Sequence, residues 1–560
     1  MTVPKVQRKQ ICQIAVVVCV LFFVPGFRAQ SNADGANVTG GFRVGGVVVS
    51  SATGAPLAQA RVMLINVKNR REGVSMITEE NGHFEFTGLN GGKYSLEGAR
   101  RGYIPAAYEQ HEQYSTAIVT GQEFDTQNLT LRRVPLGMLS GMVMDEFGEG
   151  VRNAQVRLFA ESHRGGATRI VQFSGTGTDD RGTFEFSELG PGKYYVSVSA
   201  TPWYAVHVST LNPVGGSGPA PGMDQSLDVA YPTTFYGGAT ESDEALPISV
   251  EAGEHAQIDI QLSPVPALHL LFQAPKNSDH GYQFPTLQRR TFDTLEGVAP
   301  GGVQGSPTTP GLFEISGIPP GKYSVRLPDN SSGQMKLGGE VELDEDGLDL
   351  SELEGEPLSS VKLSVKMSKD ELVPRGMNIG LQDEKNRIVA WNQVDADGEV
   401  AFEDLPAGRY GIRIFVPAKA YSVTRMRSAD TEISGHELTL RPGESQEWTA
   451  FLSLGRTNIE GYVKRGNKAA SGVMVVLIPN EPKAHLDVFR RDQSDSDGSF
   501  LLPDVIPGSY TVVAIEDAWG FDWSQPALLA RYAQHGQALT VGELMQGVVS
   551  LPDAVEVQPR

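Results

Sequence analysis

Apolar and polar residues alternate along most of the chain, and one such pattern occurs five times. It consists of a glycine, two apolar residues one position apart, a second glycine and a tyrosine twelve positions after the first glycine. Because alternate residues of a strand face the same side, each copy predicts two strands with one buried face each. The copies are Gly82/Phe84/Phe86/Gly92/Tyr94, Gly182/Phe184/Phe186/Gly192/Tyr194, Gly311/Phe313/Ile315/Gly321/Tyr323, Gly398/Val400/Phe402/Gly408/Tyr410 and Gly498/Phe500/Leu502/Gly508/Tyr510.

The connection between the two strands carries a Pro-Gly pair in several copies, as in Pro191 and Gly192. Proline followed by glycine favours the two central positions of a type II turn, so this turn is predicted here. A buried tyrosine hydroxyl needs a hydrogen-bond partner, and we expect each tyrosine of the pattern to bond to backbone. The pattern is therefore interpreted as a folding signature.

The repeats predict an all-β protein, a tandem array of about five small antiparallel β-sandwich modules. Strands that close each module place the boundaries near residues 135, 265, 356 and 455. A stretch rich in Gly, Ser and Pro, 209–222, is predicted to be a flexible loop inside the second module. The only helical pattern is a short one near 524–535. The predicted modules are 40–135, 136–265, 266–355, 356–455 and 456–558.

The N-terminal segment 1–29 has the layout of a secretory signal peptide. Basic residues precede an apolar stretch from Ile11 to Val24, and Ala29 is a suitable small residue for cleavage. The apolar stretch is short for a spanning helix, so no membrane-spanning segment is expected after cleavage, and a retained anchor is the alternative. Both cysteines, Cys12 and Cys19, lie in this segment, so the mature chain is expected to form no disulfide.

The formal net charge is −20, and removal of the basic N-terminal segment makes it more negative. Nucleic acids are bound through basic surfaces, so this charge argues against a nucleic-acid partner. It also argues against electrostatic binding to anionic lipid. With the signal segment, it indicates a secreted, periplasmic or cell-envelope protein.

The repeats resemble the carboxypeptidase regulatory-like domain found in multi-module exported bacterial proteins. Modules one, two and five match well, while modules three and four are degenerate and match mainly from the first glycine to the tyrosine. The resemblance implies a prealbumin-like (transthyretin-type) sandwich, close to carbohydrate-binding-like and Ig-like folds, and an accessory rather than a catalytic role. In module two the matching residues are Gly141, Val143, Gly148, Ala154, Val156, Leu158, Asp179, Gly182, Phe184, Phe186, Leu189, Pro191, Gly192 and Tyr194.

Catalytic motifs are missing from the sequence. None of the ten histidines is followed by Glu three positions later, which a zinc carboxypeptidase would require. There is no HExxH pair, no nucleophile elbow and no phosphate loop. We therefore expect that the protein is not an enzyme and carries no cofactor.

Acidic turns precede two copies of the pattern, and their aspartates are candidate calcium ligands: Asp395, Asp397, Asp495 and Asp497. Calcium requires several oxygen ligands around one point, and the remaining positions of an EF-hand loop are absent. The alternative is an Asx turn, in which the side chain accepts hydrogen bonds from backbone amides. The turn is the favoured interpretation.

Aromatic residues in or beside loops are candidates for stacking on sugar rings, and the alternative is packing between modules or under loops. The candidate carbohydrate-binding residues are Trp203, Tyr231, Phe235, Tyr236, Trp519 and Trp523.

The features of the sequence leave three functions open. The first is an exported, non-enzymatic scaffold that spaces or binds at the cell envelope. The second is a carbohydrate-binding protein with a polysaccharide partner. The third is an accessory subunit that docks onto an envelope enzyme or outer-membrane complex.

Overall fold

The structure, a computed structural model, describes residues 40–560 except for several short segments. These segments are 122–125, 164–165, 212–223, 275, 278–280, 329–334, 368–370, 386, 418, 481–487, 521 and 523–524. The predicted signal peptide, with Cys12 and Cys19, and most of the predicted loop 209–222 lie outside the described residues.

The first two modules have the same succession of strands, except that the second has one additional short strand, Val229–Ala230. The first contains Phe42–Ser50, Arg61–Asn66, Gly73–Ile77, His83–Leu89, Gly92–Ala99, Ala106–Ala107, Ile118–Thr120 and Leu129–Arg133. The second contains Gly137–Met144, Gln155–Ser162, Arg169–Gly177, Thr183–Leu189, Gly192–Ser199, Val229–Ala230, Thr234–Phe235, Ile248–Val250 and His255–Gln261, with 3-10 turns at Gln225–Leu227 and Ser242–Glu244.

The third and fourth modules keep the central strands of this arrangement but have different strands at the edges of their sheets. The third has strands Val265–Pro266, Leu268–Gln273, Lys276–Asn277, Gly281–Tyr282, Thr286–Thr291, Thr294–Gly297, Gly302–Gly305, Leu312–Ile318, Gly321–Pro328, Met335–Leu343 and Glu356–Pro357, with a 3-10 turn at Leu350–Glu352. The fourth has Ser359–Met367, Asn378–Gln382, Ile388–Gln393, Glu399–Leu405, Gly408–Phe415, Tyr421–Arg427, Glu432–Ser434, Glu437–Leu440 and Ser445–Leu454.

The fifth module adds a helix to the sandwich, at Pro526–Ala533, where the sequence predicted one. In the described part of the chain no helix is long and apolar enough to cross a membrane. Strand Met474–Pro479 is buried on both faces, one against the other sheet and one against this helix, which explains its unbroken apolar sequence. The strands are Thr457–Arg465, Lys468–Ala469, Met474–Pro479, Arg490–Gln493, Ser499–Val505, Gly508–Ile515, Gln537–Val541, Gly547–Ser550 and Val555–Gln558, with a 3-10 turn at Ala518–Gly520.

Each module has its own hydrophobic core, and each of the first four is a sandwich of two main sheets. In the fifth, Val555–Gln558 pairs with strands of both layers and joins them into one nine-stranded sheet. In the first module the opening strand Phe42–Ser50 pairs antiparallel with His83–Leu89 and parallel with the closing strand Leu129–Arg133. The same parallel closure occurs in the second, fourth and fifth modules. The modules are therefore mainly antiparallel. The parallel pairings among the described strands, one each in the first, second and fourth modules and three in the fifth, were not indicated by the sequence.

The repeated pattern carries the chain from one sheet of the sandwich to the other. In the second module, Thr183–Leu189 lies in the three-stranded sheet, and the following strand, Gly192–Ser199, lies in the five-stranded sheet. Its first glycine, Gly182, has φ +80°, and a Cβ there would come within 2.5 Å of the Val143 carbonyl oxygen. Only glycine fits this position without strain.

The type II turn predicted from the Pro-Gly pairs is wrong at Pro191-Gly192 and at Pro507-Gly508. That turn needs a positive φ at its glycine, but Gly192 and Gly508 do not have one. The left-handed residue instead lies six positions after the first glycine in every copy, at Gly88, Glu188, Gly317, Asp404 and Asp504. In each copy, the strand that contains this residue shifts its pairing register next to it. The resulting β-bulge bends the chain towards the second sheet.

The tyrosine of each pattern fastens this bend, as predicted. Its hydroxyl donates to the backbone carbonyl oxygen four residues earlier in all five modules. The distance is 2.8 Å from Tyr194 to Gly190 and 2.7 Å from Tyr510 to Ile506. Burial raises the pKa of Tyr323 and of Tyr410 to about 12, so both hydroxyls remain protonated donors at neutral pH.

Replacement of Tyr194 by Phe should lower the free energy of unfolding of the second module by about 1 kcal/mol, the contribution of one hydrogen bond. The matched control is Tyr195→Phe, because the Tyr195 hydroxyl has no hydrogen-bond partner among the described residues. Hydrogen–deuterium exchange of second-module amides in the full chain measures the effect of each substitution on the stability of this module. Equal effects of the two substitutions would contradict a role for the Tyr194 hydroxyl.

Candidate functional site

Three of the predicted carbohydrate-binding aromatics contribute to packing in the second module. Tyr231 is 6% exposed and belongs to the core, and Tyr236 packs against the same core. Phe235 is 1% exposed, and its ring lies 5.6 Å from that of Phe292, which comes from the third module. The ring faces of Tyr231 and Phe235 are therefore not open to a ligand.

Trp519 lies where the fifth module meets the first. Its ring is stacked on His111 at a centroid distance of 5.0 Å and lies 5.7 Å from Tyr114. Its indole nitrogen donates to the Gly472 carbonyl oxygen at 3.4 Å. Trp523 lies outside the described residues. Among the described candidates, the ring contacts of Trp519 are thus with residues other than the predicted aromatics.

Trp203 differs from the others, since 84% of it is exposed. The adjacent Tyr204 stands edge-on to it at 5.7 Å. The hydroxyls of Tyr204 and Tyr231 both donate to the carboxylate of Glu146, the latter at 2.7 Å. Burial and this hydrogen bond raise the pKa of Tyr204 to about 12. Glu146 therefore holds the loop that presents Trp203 to solvent.

The candidate calcium ligands are engaged in other interactions. The Asp395 carboxylate accepts from the amides of Asp397 and Glu399 at 3.0 and 2.7 Å, and Asp497 accepts from the amide of Ser499 at 2.9 Å. Asp495 pairs with Lys93 of the first module at 2.6 Å. In the described part of the chain no group of three or more acidic, His or Cys side chains is placed to hold a metal ion.

Charged side chains join the first and fifth modules across a largely buried junction. The Arg491 guanidinium binds the Glu112 carboxylate through two nitrogens, at 2.8 and 3.4 Å. The two side chains are only 5% and 14% exposed. Such a pair depends on both partners, because removing one leaves the other charge buried and uncompensated.

Backbone groups reinforce this junction. The Ser496 amide donates to the Ala117 carbonyl oxygen at 3.0 Å, and the Ala117 amide donates to the Asp495 carboxylate at 2.9 Å. The Gln493 side chain donates to the Glu109 carbonyl oxygen at 2.6 Å. Directional bonds to backbone fix the register between the two modules as well as their proximity.

A cleft of about 370 Å³ separates the second and third modules. Arg157 from the second module and Glu296 from the third form an ion pair across it at 3.3 Å. The second carboxylate oxygen of Glu296, Oε1, is buried and has no hydrogen-bond partner among the described residues. The polar side chains that line the cleft include Asn153, Gln155, Arg157, Thr201, Thr233 and Glu296.

A chain of titratable groups ties the same two modules together next to the cleft. His207 Nδ1 lies 2.8 Å from Asp228 Oδ1, and Asp228 Oδ2 lies 2.6 Å from His269 Nε2. His269 Nδ1 lies 3.0 Å from Glu314 Oε1. His207 and Asp228 belong to the second module, whereas His269 and Glu314 lie on strands of the third.

Both side chains of the His269–Glu314 pair are buried. The pKa of His269 is raised and that of Glu314 is lowered. The hydrogen bond to Glu314 raises the pKa of His269 to about 9, assisted by Asp228 and opposed by burial. Burial alone would raise the pKa of Glu314, but hydrogen bonds from His269, Ser209 and Thr210 lower it to about 2. An imidazolium between two carboxylates therefore holds the junction at neutral pH.

Comparison with protein-family models explains the repeated sandwich. The carboxypeptidase regulatory-like domain model matches residues 43–132 and 138–218. Two modules of the chain are carboxypeptidase regulatory-like domains. Residues 455–533 match a different model, the second β-sandwich domain of BOS complex subunit NOMO1-like proteins, although the sequence resemblance implied the first family for this module too.

Other relatives are distant. Colossin-A of Dictyostelium discoideum is 23% identical over 508 residues, which cover 82% of this chain but only 4% of Colossin-A. The Bacillus anthracis TIE protein is 13% identical, with 73% of each chain covered and a TM-score of 0.18. BcpA, the major pilin subunit of Bacillus cereus, is 11% identical, with 73% of this chain and 99% of that chain covered and a TM-score of 0.14. With TM-scores this low, neither structure indicates how the present modules are arranged.

The residues that join modules were not identified from sequence. Glu112 and Arg491 are 379 positions apart, and no local pattern links them. A weak signal exists for His269, because it is a polar residue within an apolar, largely buried strand, whereas the strand of Arg491 is polar throughout. Buried charged groups need partners, so such positions indicate contacts beyond the module.

The junction between the second and third modules should weaken in alkali. The folded-state pKa of His269, about 9, exceeds its ordinary value of 6.5. The stability that protonated His269 gives to the junction is therefore complete below about pH 6.5 and is lost as the pH rises through 9. The shift corresponds to about 3 kcal/mol. Calorimetric unfolding of the full chain between pH 6 and 9.5 should show this loss, and His269→Gln should abolish it. His255→Gln, at an exposed strand position, is the control and should leave the pH dependence intact.

Proposed function

We propose that the protein is an exported, non-enzymatic β-sandwich scaffold of the cell envelope whose modules are held in one fixed, closed arrangement. The junction of the first and fifth modules supports this proposal most strongly. Buried ion pairs and backbone hydrogen bonds join modules that are distant in sequence. A simple flexible spacer would not need to pair charges from its two ends.

The binding partners of the buried titratable groups are consistent with a scaffold. Arg491 and Glu112 bind each other across the fifth and first modules. His269 binds Glu314 within the third module and Asp228 of the second module across the junction. Perturbed groups in an active site commonly converge on a cleft that admits substrate. Here the partners are protein groups, so the raised pKa of His269 and the lowered pKa of Glu314 are explained by contacts inside the protein.

Export is inferred from the N-terminal segment, in which basic residues precede an apolar stretch. The carboxypeptidase regulatory-like domains and the repeated sandwich agree with an accessory role outside catalysis. Two experiments test these parts. Cell fractionation should recover the protein outside the cytoplasm. Hydrolysis of ester, glycoside, peptide or phosphoester substrates that a single substitution abolishes would contradict the non-enzymatic assignment.

The closed arrangement should open when Glu112 is replaced by Arg, because two buried guanidinium groups would then face each other. The expected cost to the junction is at least about 3 kcal/mol. Small-angle X-ray scattering should show a larger radius of gyration, and the double variant Glu112→Arg with Arg491→Glu should restore the original value.

The control is Glu516→Arg, which disrupts an exposed ion pair with Arg465 inside the fifth module. It should leave the radius of gyration unchanged. If Glu112→Arg also leaves the scattering curve unchanged, the closed arrangement does not depend on this junction and the proposal fails.

A further inference from the structure

Polar side chains without partners converge on the cleft between the second and third modules. Asn153 and Gln155 both line it and are exposed. Neither side chain forms a hydrogen bond with another described residue. Planar amides that are free to donate and accept at a cleft can bind adjacent hydroxyl groups of a ligand.

The ion pair in the cleft has unused hydrogen-bonding capacity at a buried atom. Glu296 directs Oε2 to Arg157, while its Oε1 is buried and lacks a partner in the described structure. A buried acceptor without a donor is uncommon and needs an explanation. A ligand hydroxyl that enters the cleft would donate to Oε1 and complete this group.

Apolar surface lies beside these polar groups. Pro202 and Pro300 line the cleft, and the exposed Trp203 directly follows Pro202. Glu146 holds the Trp203 loop in place through Tyr204 and Tyr231. An apolar surface next to planar hydrogen-bonding groups matches a sugar ring, which carries hydroxyls around its rim and C–H groups on its faces.

We propose that this cleft binds a neutral sugar segment of a polysaccharide. Neutral rather than anionic sugars are expected because the two arginines of the cleft already have carboxylate partners, Glu296 for Arg157 and Glu241 for Arg289. The volume of about 370 Å³ lies near the lower end of small-molecule sites, which suits one or two sugar rings. This assignment extends the scaffold function and does not depend on the junction of the first and fifth modules.

Saturation-transfer NMR and calorimetry on the purified protein test the site. The probes are cellohexaose, xylohexaose, mannohexaose, maltohexaose and chitohexaose, with oligogalacturonate as the anionic comparison. At least one neutral oligosaccharide should bind, and the anionic one should not. Gln155→Ala should weaken binding about fivefold, as expected for one lost hydrogen bond. Trp203→Ala should also weaken it.

Two matched controls separate the site from general effects. Gln257→Ala removes an exposed glutamine from the other sheet of the same module, and Trp391→Ala removes an exposed tryptophan from the fourth module. Both should retain full affinity. The proposal is overturned if no neutral oligosaccharide binds at millimolar concentration, or if oligogalacturonate binds better. It is also overturned if the Gln155 and Trp203 variants bind as well as their controls.

Discussion

The fold depends on one hydrogen bond, which each module repeats: a tyrosine hydroxyl donates to the carbonyl oxygen four residues earlier. This bond spans the point where the chain leaves one sheet and enters the other. The bulge at positions such as Glu188 bends the chain there, and the tyrosine fixes the bend. Similar tyrosine corners stabilise other sandwiches. Without a fixed bend, the two sheets would have no defined separation for the core to fill.

A sandwich buries only its inner faces, so the outer faces of the second sheets determine how modules assemble. In the second module, Phe159 and Phe235 lie on such an outer face and are covered by Phe292 of the third. In the fifth module the helix covers part of the outer face, while Arg491 turns to Glu112 of the first module. Assembly therefore combines apolar coverage with a few desolvated charge pairs, which provide specificity more than stability.

The local part of this structure could be predicted from sequence, because alternation encodes which side of a strand is buried. The core positions Phe184 and Tyr194 follow directly from that pattern. The contacts between modules could not be predicted in this way. Asp395 and Asp495 occupy equivalent turns, yet one bonds within its own turn and the other pairs with Lys93 of a distant module. The tertiary arrangement of the modules decides which residues cover an outer face. Local periodicity in the sequence carries no information about that arrangement.

The two polar junctions differ in a way that bears on function. Between the first and fifth modules, Arg491 and Glu112 satisfy each other through paired hydrogen bonds, and such a junction stabilises a single arrangement. Between the second and third, His269 binds Asp228 across the junction and Glu314 within its own module, but Glu296 has a buried oxygen without a donor among the described residues. Leaving a buried oxygen unbonded costs stability. This oxygen lies in an open cleft beside the exposed amides of Asn153 and Gln155, where a hydroxyl of the proposed sugar ligand would donate to it.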